Sequence, residues 1–208
     1  MVRLAAFASG RGSNFSGILN YLKQRDLPAR YVLLVSDRPH PPAADLALAA
    51  GIPFLHLNPK GFSSPEEYTA RLLRELDNYQ VEWITLAGYL KMIPSAVVDR
   101  YRGKILNIHP ALLPAFGGPG MYGERVHQAV IDSGAKVSGA TVHIVDEQYD
   151  HGPIVVQETM PVLFEDTAET LAHRVLEVEH RIYPQAVELA VKGRIKIHRR
   201  RVEILPAN

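Results

Sequence analysis

Asn107 and His109 stand two residues apart at the end of an apolar run and just before Pro110. In an extended strand such a pair shares one face, while Ile108 between them turns toward the core. Pro110 has no N–H for a ladder and Pro114 fixes the backbone again, so the strand should end where its polar face emerges. A neutral amide donor beside a group that titrates near neutrality suits a carbonyl substrate. The amide can hold a developing oxyanion while the imidazole moves a proton. A strand-end Asn and His that only cap a loop would show the same spacing.

Other segments carry weaker chemistry. Ser9-Gly10-Arg11-Gly12-Ser13-Asn14 follows a first apolar run and opens a helix, where glycines and unpaired N–H groups could seat a phosphate. Phe15 stands where a dinucleotide fingerprint needs its third glycine, and the P-loop Lys-Ser/Thr is absent, so a tight turn with Ser13 or Asn14 as the helix cap is the alternative. Asp37 lies 25 residues beyond Gly12, against about 20 for a ribose-binding acid, and reads as a turn residue ahead of Arg38-Pro39. The Asp146 to Gly152 turn gathers Asp146, Glu147, Asp150 and His151. These carboxylates are either solvated turn formers or the partner that raises an imidazole pKa. Glu179 falls inside the apolar stripe Leu171, Val175, Val178, Ile182, and an inward carboxylate needs an ion-pair partner or a ligand. The nine histidines form no zinc-type spacing, so no metal is expected, and no Gly-x-Ser-x-Gly elbow appears.

The elements that must position these residues follow from periodicity. Strand-length apolar runs at Val2 to Ala8, Arg30 to Ser36, Pro53 to His56, Trp83 to Ala87 and Lys104 to Ile108 alternate with helical segments at Asn14 to Lys23, Asp45 to Ala50 and Ser64 to Asn78. This alternation predicts an α/β fold, an open and mostly parallel twisted sheet with helices on both faces. Ser64, Pro65 and Glu67 form a capping box for the third helix. Phe116 to Gly123, with four glycines, is a mobile loop. Beyond it come a helix from Glu124 to Asp132, mixed or antiparallel strands at Val137 to Val145 and Ile154 to Glu158, and a long helix from Thr167 to Val191 in which Pro184 introduces a kink. The basic tail adds an edge strand, and His198 to Arg201 is a solvated edge.

Composition narrows the class. The 208 residues suit one domain, with 47% hydrophobic and 22% charged residues and a net charge of +1. That balance argues against nucleic acid or a membrane as partner. The absence of cysteine excludes disulfides, thiolate catalysis and Fe–S clusters, and fits a reducing cytoplasm. The N-terminal apolar run is too short for a spanning helix and lacks a signal-peptide layout, so it is expected to be the first strand.

Taken in order, Ser9 to Asn14, Leu86-Ala87-Gly88-Tyr89-Leu90-Lys91, Asn107 to Pro114, Gly139-Ala140-Thr141-Val142-His143, Asp150 to Ile154 and Glu179 to Pro184 resemble the folate-dependent glycinamide ribonucleotide transformylase family over nearly the whole chain. The resemblance implies a Rossmann-like formyltransferase domain over residues 1–208. Residues 1–110 would form its phosphate-binding half, and residues 111–208 would carry the loop, the folate-site strands and the long helix. It implies formyl transfer from the co-substrate 10-formyltetrahydrofolate to the amine of 5'-phosphoribosylglycinamide in de novo purine synthesis. Asn107, His109 and Asp150 match the catalytic trio: oxyanion stabiliser, general acid/base entering as imidazolium, and the carboxylate that tunes it. Gly12, Ser13 and Asn14 match the ribose-phosphate loop, and Glu179 matches a carboxylate that contacts the acceptor. Leu90, Lys91, Met92 and Ile93, with Asn107 and the turn Asp146, Glu147, Gln148, Tyr149 and Asp150, match the pterin-binding wall. The resemblance involves only small-molecule partners and leaves room for a homodimer. Two departures stand out: Pro65 replaces an arginine near the folate tail, and the Phe116 to Gly123 loop is longer than the family's short form, which unsettles the alignment of His127.

Two competing readings remain at this level. A formyltetrahydrofolate deformylase would give water the acceptor's place; it would be expected to carry a regulatory segment before the first strand, and the Gly-Ser-Asn loop favours a phosphorylated acceptor. A methionyl-tRNA formyltransferase would need an RNA-binding domain after the last helix. A non-catalytic nucleotide-binding module would explain the fold and the glycine loop but leave Asn107, His109 and Asp150 idle.

Overall fold

The computed structural model describes residues 1–207. Its strands are β1 (Val2–Phe7), β2 (Ala29–Ser36), β3 (Phe54–His56), β4 (Trp83–Leu86), β5 (Ile105–His109), β6 (Val137–Ile144), β7 (Ile154–Pro161), β8 (Ile195–His198) and β9 (Arg201–Ile204). The helices are α1 (Ser13–Gln24), α2 (Pro42–Ala49), α3 (Pro65–Asn78), α4 (Ser95–Arg100), α5 (Glu124–Asp132) and α6 (Ala168–Val191). Seven strands form a sheet in the order β3-β2-β1-β4-β5-β6-β7. It is mostly parallel, with antiparallel pairing in its C-terminal part, as the alternation of elements predicts. Contacts group the described residues into two compact units, the first ending at Leu106 and the second beginning at Asn107. Among the described residues no helix is long and apolar enough to cross a membrane.

In the first unit β1 pairs in parallel with β2 and β4, and β2 with β3. Leu4 to Ala8 are wholly buried, as a strand covered on both faces requires. Phe15 of α1 meets Tyr31 of β2 edge to face at 5.0 Å, and the buried Tyr31 hydroxyl finds the Thr85 hydroxyl at 2.9 Å. Ser64 caps α3 as expected, its Oγ accepting the Glu67 N–H at 3.2 Å, but the box is not reciprocal, because the Glu67 carboxylate accepts the Ser63 N–H at 3.0 Å and the Ser63 hydroxyl instead; Tyr68, Leu72 and Leu76 are buried. Three expectations need correction. α1 is capped by Gly12, not by Ser13 or Asn14, because the turn enters at φ +72°, a left-handed conformation that glycine adopts freely. α2 begins at Pro42 rather than Asp45, since a proline is favoured at the first helical position. The six-residue α4 escaped sequence analysis because so short a helix leaves no periodicity to read.

In the second unit β6 and β7 pair antiparallel, and α6 buries Leu171, Val175, Val178, Ile182, Tyr183 and Ala186. Thr167 caps α6 through a reciprocal box with Thr170, and the helix runs on through Pro184. β8 and β9 form a separate two-stranded hairpin instead of adding an edge strand to the main sheet. α5 buries Val126, His127 and Val130. His127 is only 5% exposed, and burial, helped by the charge of His109, pushes its pKa down to about 4.

Two predictions follow from this packing. A Cβ at Gly12 would lie 2.6 Å from the Ala43 Cβ in addition to the left-handed φ, so Gly12→Ala should cost about 1–3 kcal/mol in urea unfolding. His127 stays neutral in the folded protein down to about pH 4, whereas the unfolded chain takes up its proton near pH ~6.5. Stability should therefore fall as pH drops through that window, and His127→Gln should remove about 1–2 kcal/mol of the loss between pH 7 and 4.5. Burial also depresses His109 and His180, which leaves a residual slope of the same sign.

Candidate active site

Asn107 and His109 lie on β5 as the strand pattern requires, and the strand ends at His109, immediately before Pro110. Their surroundings in the second unit are fixed by a hydroxyl and an amide. The wholly buried Thr141 of β6 donates to the Ala111 carbonyl at 2.6 Å and accepts the Leu113 N–H at 3.1 Å. Gln157 of β7 donates to Thr141 Oγ1 at 2.8 Å and to the Leu113 carbonyl at 3.0 Å. The chain leaving β5 is thus pinned to β6 and β7, and every buried polar group in the link is used.

His109 is 3% exposed. Its Nε2 lies 2.8 Å from the Phe116 carbonyl, which can only accept, so Nε2 carries the hydrogen. Nδ1 then faces Asp150 Oδ2 at 3.4 Å. Burial pushes the His109 pKa below its ordinary value, while the Asp150 carboxylate and the Phe116 carbonyl pull it up and His143 pushes it further down. The carboxylate does favour the charged ring, as the sequence reading expected of such a pair. Desolvation outweighs it, so the His109 pKa lies below its ordinary value.

Asp150 sits in a left-handed turn at φ +52°, a conformation an aspartate tolerates better than most residues. Its Oδ2 also accepts the Gly118 N–H at 2.9 Å. Gly117 permits this approach, because a Cβ there would collide with Leu113 and lie 3.1 Å from Asp150 Cβ. Burial alone would raise the Asp150 pKa, but His143, His109 and the Gly118 N–H together hold it below the usual carboxylate value. His143 of β6 completes the group. Its Nδ1–H donates to the Ile144 carbonyl at 2.9 Å, and its Nε2 lies 3.1 Å from Asn107 Nδ2. The same Nε2 lies 3.7 Å from Asp150 Oδ1. One Asn107 amide hydrogen is spent on His143, and the second is available to an oxyanion.

In the turn before β7, Asp146 accepts the Gln148 N–H at 3.0 Å and the His151 Nδ1–H at 2.8 Å. Glu147, Gln148 and Tyr149 are exposed. Arg200, at the tip of the β8–β9 hairpin, donates to His151 Nε2 at 2.6 Å and to the His151 carbonyl at 2.7 Å. His198 to Arg201 are all exposed, as expected of a solvated edge, while Arg200 also anchors the hairpin tip to this turn. Glu179 points inward from α6 at 9% exposure, as its phase in the apolar stripe predicts.

The first unit holds the remaining candidates. Gly12, Ser13 and Asn14 form the start of α1, whose first turn contains no acidic residue, an arrangement compatible with an anion at the helix N-terminus. Leu90 and Met92 expose about half their surface, Lys91 is partly exposed, and Ile93 turns into the core. Asp37 is not the solvated turn residue the sequence suggested: it is 3% exposed and accepts the Ser9 hydroxyl at 2.5 Å. The sequence reading also assigned no role to His143. Period-two alternation along β6 offered the signal, since Gly139, Thr141 and His143 share one face and the last two carry the polar links to the β5 side.

Comparison with known proteins places the chain in a family. A family model described as formyl transferase matches residues 2–187. The chain is 45% identical over 194 residues to the chloroplastic phosphoribosylglycinamide formyltransferase of Vigna unguiculata, covering 93% of this chain and 62% of that protein. It is 39% identical over 188 residues to the phosphoribosylglycinamide formyltransferase of Bacillus subtilis, covering 90% of this chain and 94% of that protein. The crystal structure of glycinamide ribonucleotide transformylase 1 from Symbiobacterium toebii superposes with a TM-score of 0.92 at 39% identity, over 99% of this chain and 95% of that one. With a family model spanning most of its length and the Bacillus protein matched almost end to end, the chain belongs to the formyl transferase family, in the group whose members are named phosphoribosylglycinamide formyltransferase.

Proposed function

We propose that the chain transfers the formyl group of 10-formyltetrahydrofolate to the amine of 5'-phosphoribosylglycinamide. The observation that carries this reading is the buried group of Asn107, His109, His143 and Asp150, which combines an oxyanion donor with a neutral base backed by a carboxylate.

Asn107 would direct its free amide hydrogen at the formyl oxygen as the acceptor amine adds to the formyl carbon and the carbonyl electron pair moves onto oxygen. His109 would take the proton released by the attacking nitrogen at Nδ1, where Asp150 stabilises the imidazolium. The same imidazolium would deliver that proton to the folate nitrogen as its bond to carbon breaks and the carbonyl reforms. One proton thus passes from amine to folate, and His109 returns to its neutral state. A base that starts neutral fits this cycle, and the downward shift of the His109 pKa on burial supports it.

Gly12, Ser13 and Asn14 would hold the acceptor phosphate and Glu179 would contact its glycinamide end. Leu90 and Met92 present the exposed apolar surface that a flat pterin requires, with Lys91, Ile93 and the Asp146 to Asp150 turn completing the wall. A cysteine-free chain suits a reducing compartment, and the cytoplasm is the setting proposed.

Formyl transfer followed by folate absorbance tests the reading. Turnover is expected only when phosphoribosylglycinamide is present; folate consumption without the amine would instead identify a deformylase, and no turnover at all would leave a binding module. His109→Ala should abolish turnover with little loss of acceptor binding. Asp150→Asn should lower kcat by about 100-fold or more, with acceptor KM within about threefold. Because Asp150 raises the His109 pKa, the acid limb of kcat/KM should move to lower pH in Asp150→Asn. An acid limb that stays in place would sink the assignment of Asp150 as the group that tunes His109.

A further inference from the structure

Asp37 stands at the C-terminal end of β2 and is 3% exposed, and the reaction described above gives it no part. A buried carboxylate is costly unless it is paired and hydrogen-bonded. Its Oδ1 accepts the Ser9 hydroxyl at 2.5 Å, and its Oδ2 faces Lys91 Nζ at 3.9 Å and Arg38 Nε at 3.8 Å. Ser9 has a single hydroxyl hydrogen and spends it on Asp37, so its lone pairs point elsewhere, and one accepts the Leu90 N–H at 3.0 Å. The Ser9 N–H donates in turn to the Gly88 carbonyl at 3.1 Å. The segment after β1 is held on its other side too, where the Ala43 N–H donates to the Gly10 carbonyl at 3.2 Å and Gly12 packs on Ala43.

The C-terminal ends of β1, β2 and β4 therefore meet at one buried carboxylate. Ends of parallel strands are where open α/β sheets bind ligands. The charges also balance in a useful way: Lys91 and Arg38 together exceed Asp37 by one positive charge, so the carboxylate can be buried here without making the neighbourhood hostile to a phosphate. A chain of hydrogen bonds from the Leu90 N–H through the Ser9 hydroxyl to a carboxylate strengthens each link.

We propose that Asp37 is a positioning residue that, through Ser9 and Lys91, locks the Gly88 to Lys91 segment to the Ser9 to Gly12 turn and so holds two ligand loops of this unit in one preformed arrangement. The proposal rests on the formyltransferase reading for the identity of the ligands, but not for the link itself. Asp37 and Ser9 touch no reacting atom, so their effect should appear in binding and not in chemistry.

The test uses the whole chain and two variants. In Asp37→Asn the amide can still accept from Ser9 but no longer offsets Lys91 and Arg38. In Ser9→Ala the hydroxyl relay is gone, and this small change at a partly exposed position serves if Asp37→Asn does not fold. KM should rise about tenfold or more for both substrates with kcat within about threefold. Hydrogen exchange without substrate should show lost protection at the Leu90, Ser9 and Ala43 amides in both variants. KM values within about twofold of wild type, with only a lower Tm, would overturn the proposal, as would unchanged exchange at the Leu90, Ser9 and Ala43 amides. If wild type transfers no formyl group, the functional reading fails by itself, and the exchange experiment still decides whether Asp37 locks the two segments.

Discussion

The chemistry of the second unit depends on a carboxylate that burial opposes and its neighbours rescue. Asp150 loses solvent and would be pushed toward its neutral form, yet His143, His109 and the Gly118 N–H keep it ionised. Each of those neighbours is placed by something other than Asp150. His143 is oriented by the Ile144 carbonyl, His109 by the Phe116 carbonyl, and Gly118 by a loop that can approach only because residue 117 lacks a side chain. The carboxylate is therefore the point at which β5, β6 and the glycine-rich loop are brought into register. Its removal would leave two imidazoles and a backbone N–H without their shared partner.

The same physical device recurs in the first unit with different residues. Asp37 is buried, takes a hydroxyl on one oxygen and two cations near the other, and joins segments that are far apart in sequence. Each case uses the cost of burying charge as a constraint: a carboxylate that must be satisfied restricts where its partners can stand. The loops at strand ends have little apolar surface with which to fix themselves, so polar satisfaction does what packing does elsewhere. Thr141 shows the neutral version, with one hydroxyl and the Gln157 amide holding the segment after β5 without any charge.

How much of this was legible depends on the range of the interaction. The strands β1 to β5, the Ser64 cap of α3 and the inward face of α6 were readable because they are written in local periodicity and capping residues. Asn107 and His109 were readable because their spacing and the proline after them specify a strand end. Asp37 was misread because a carboxylate before Arg-Pro looks the same whether it faces solvent or a serine 28 residues earlier, and only the fold distinguishes the two. The docking of Arg200 on His151 was invisible for the same reason, its partner lying 49 residues away. His143 sat in plain view in a family motif, but its role comes from Asn107 across the sheet and not from its neighbours in sequence.

The direction of the His109 shift shows why the trio needs its surroundings as well as its members. A carboxylate near an imidazole, taken alone, would leave the ring protonated near neutrality and unable to accept a proton from an attacking amine. Burial taken alone would favour the neutral ring and oppose formation of the imidazolium during the reaction. His109 experiences both, with burial the larger, Asp150 opposing it and His143 adding to it. A group that must gain and then lose one proton in a cycle works best when neither state is strongly favoured. On the proposed reaction, the depth of the site and the distance to Asp150 have to be set together: a more open site would let the carboxylate win, and a missing carboxylate would let desolvation win. The glycine-rich loop is where both are adjusted, because the segment that supplies the Phe116 carbonyl to the ring also supplies the Gly118 N–H to the carboxylate.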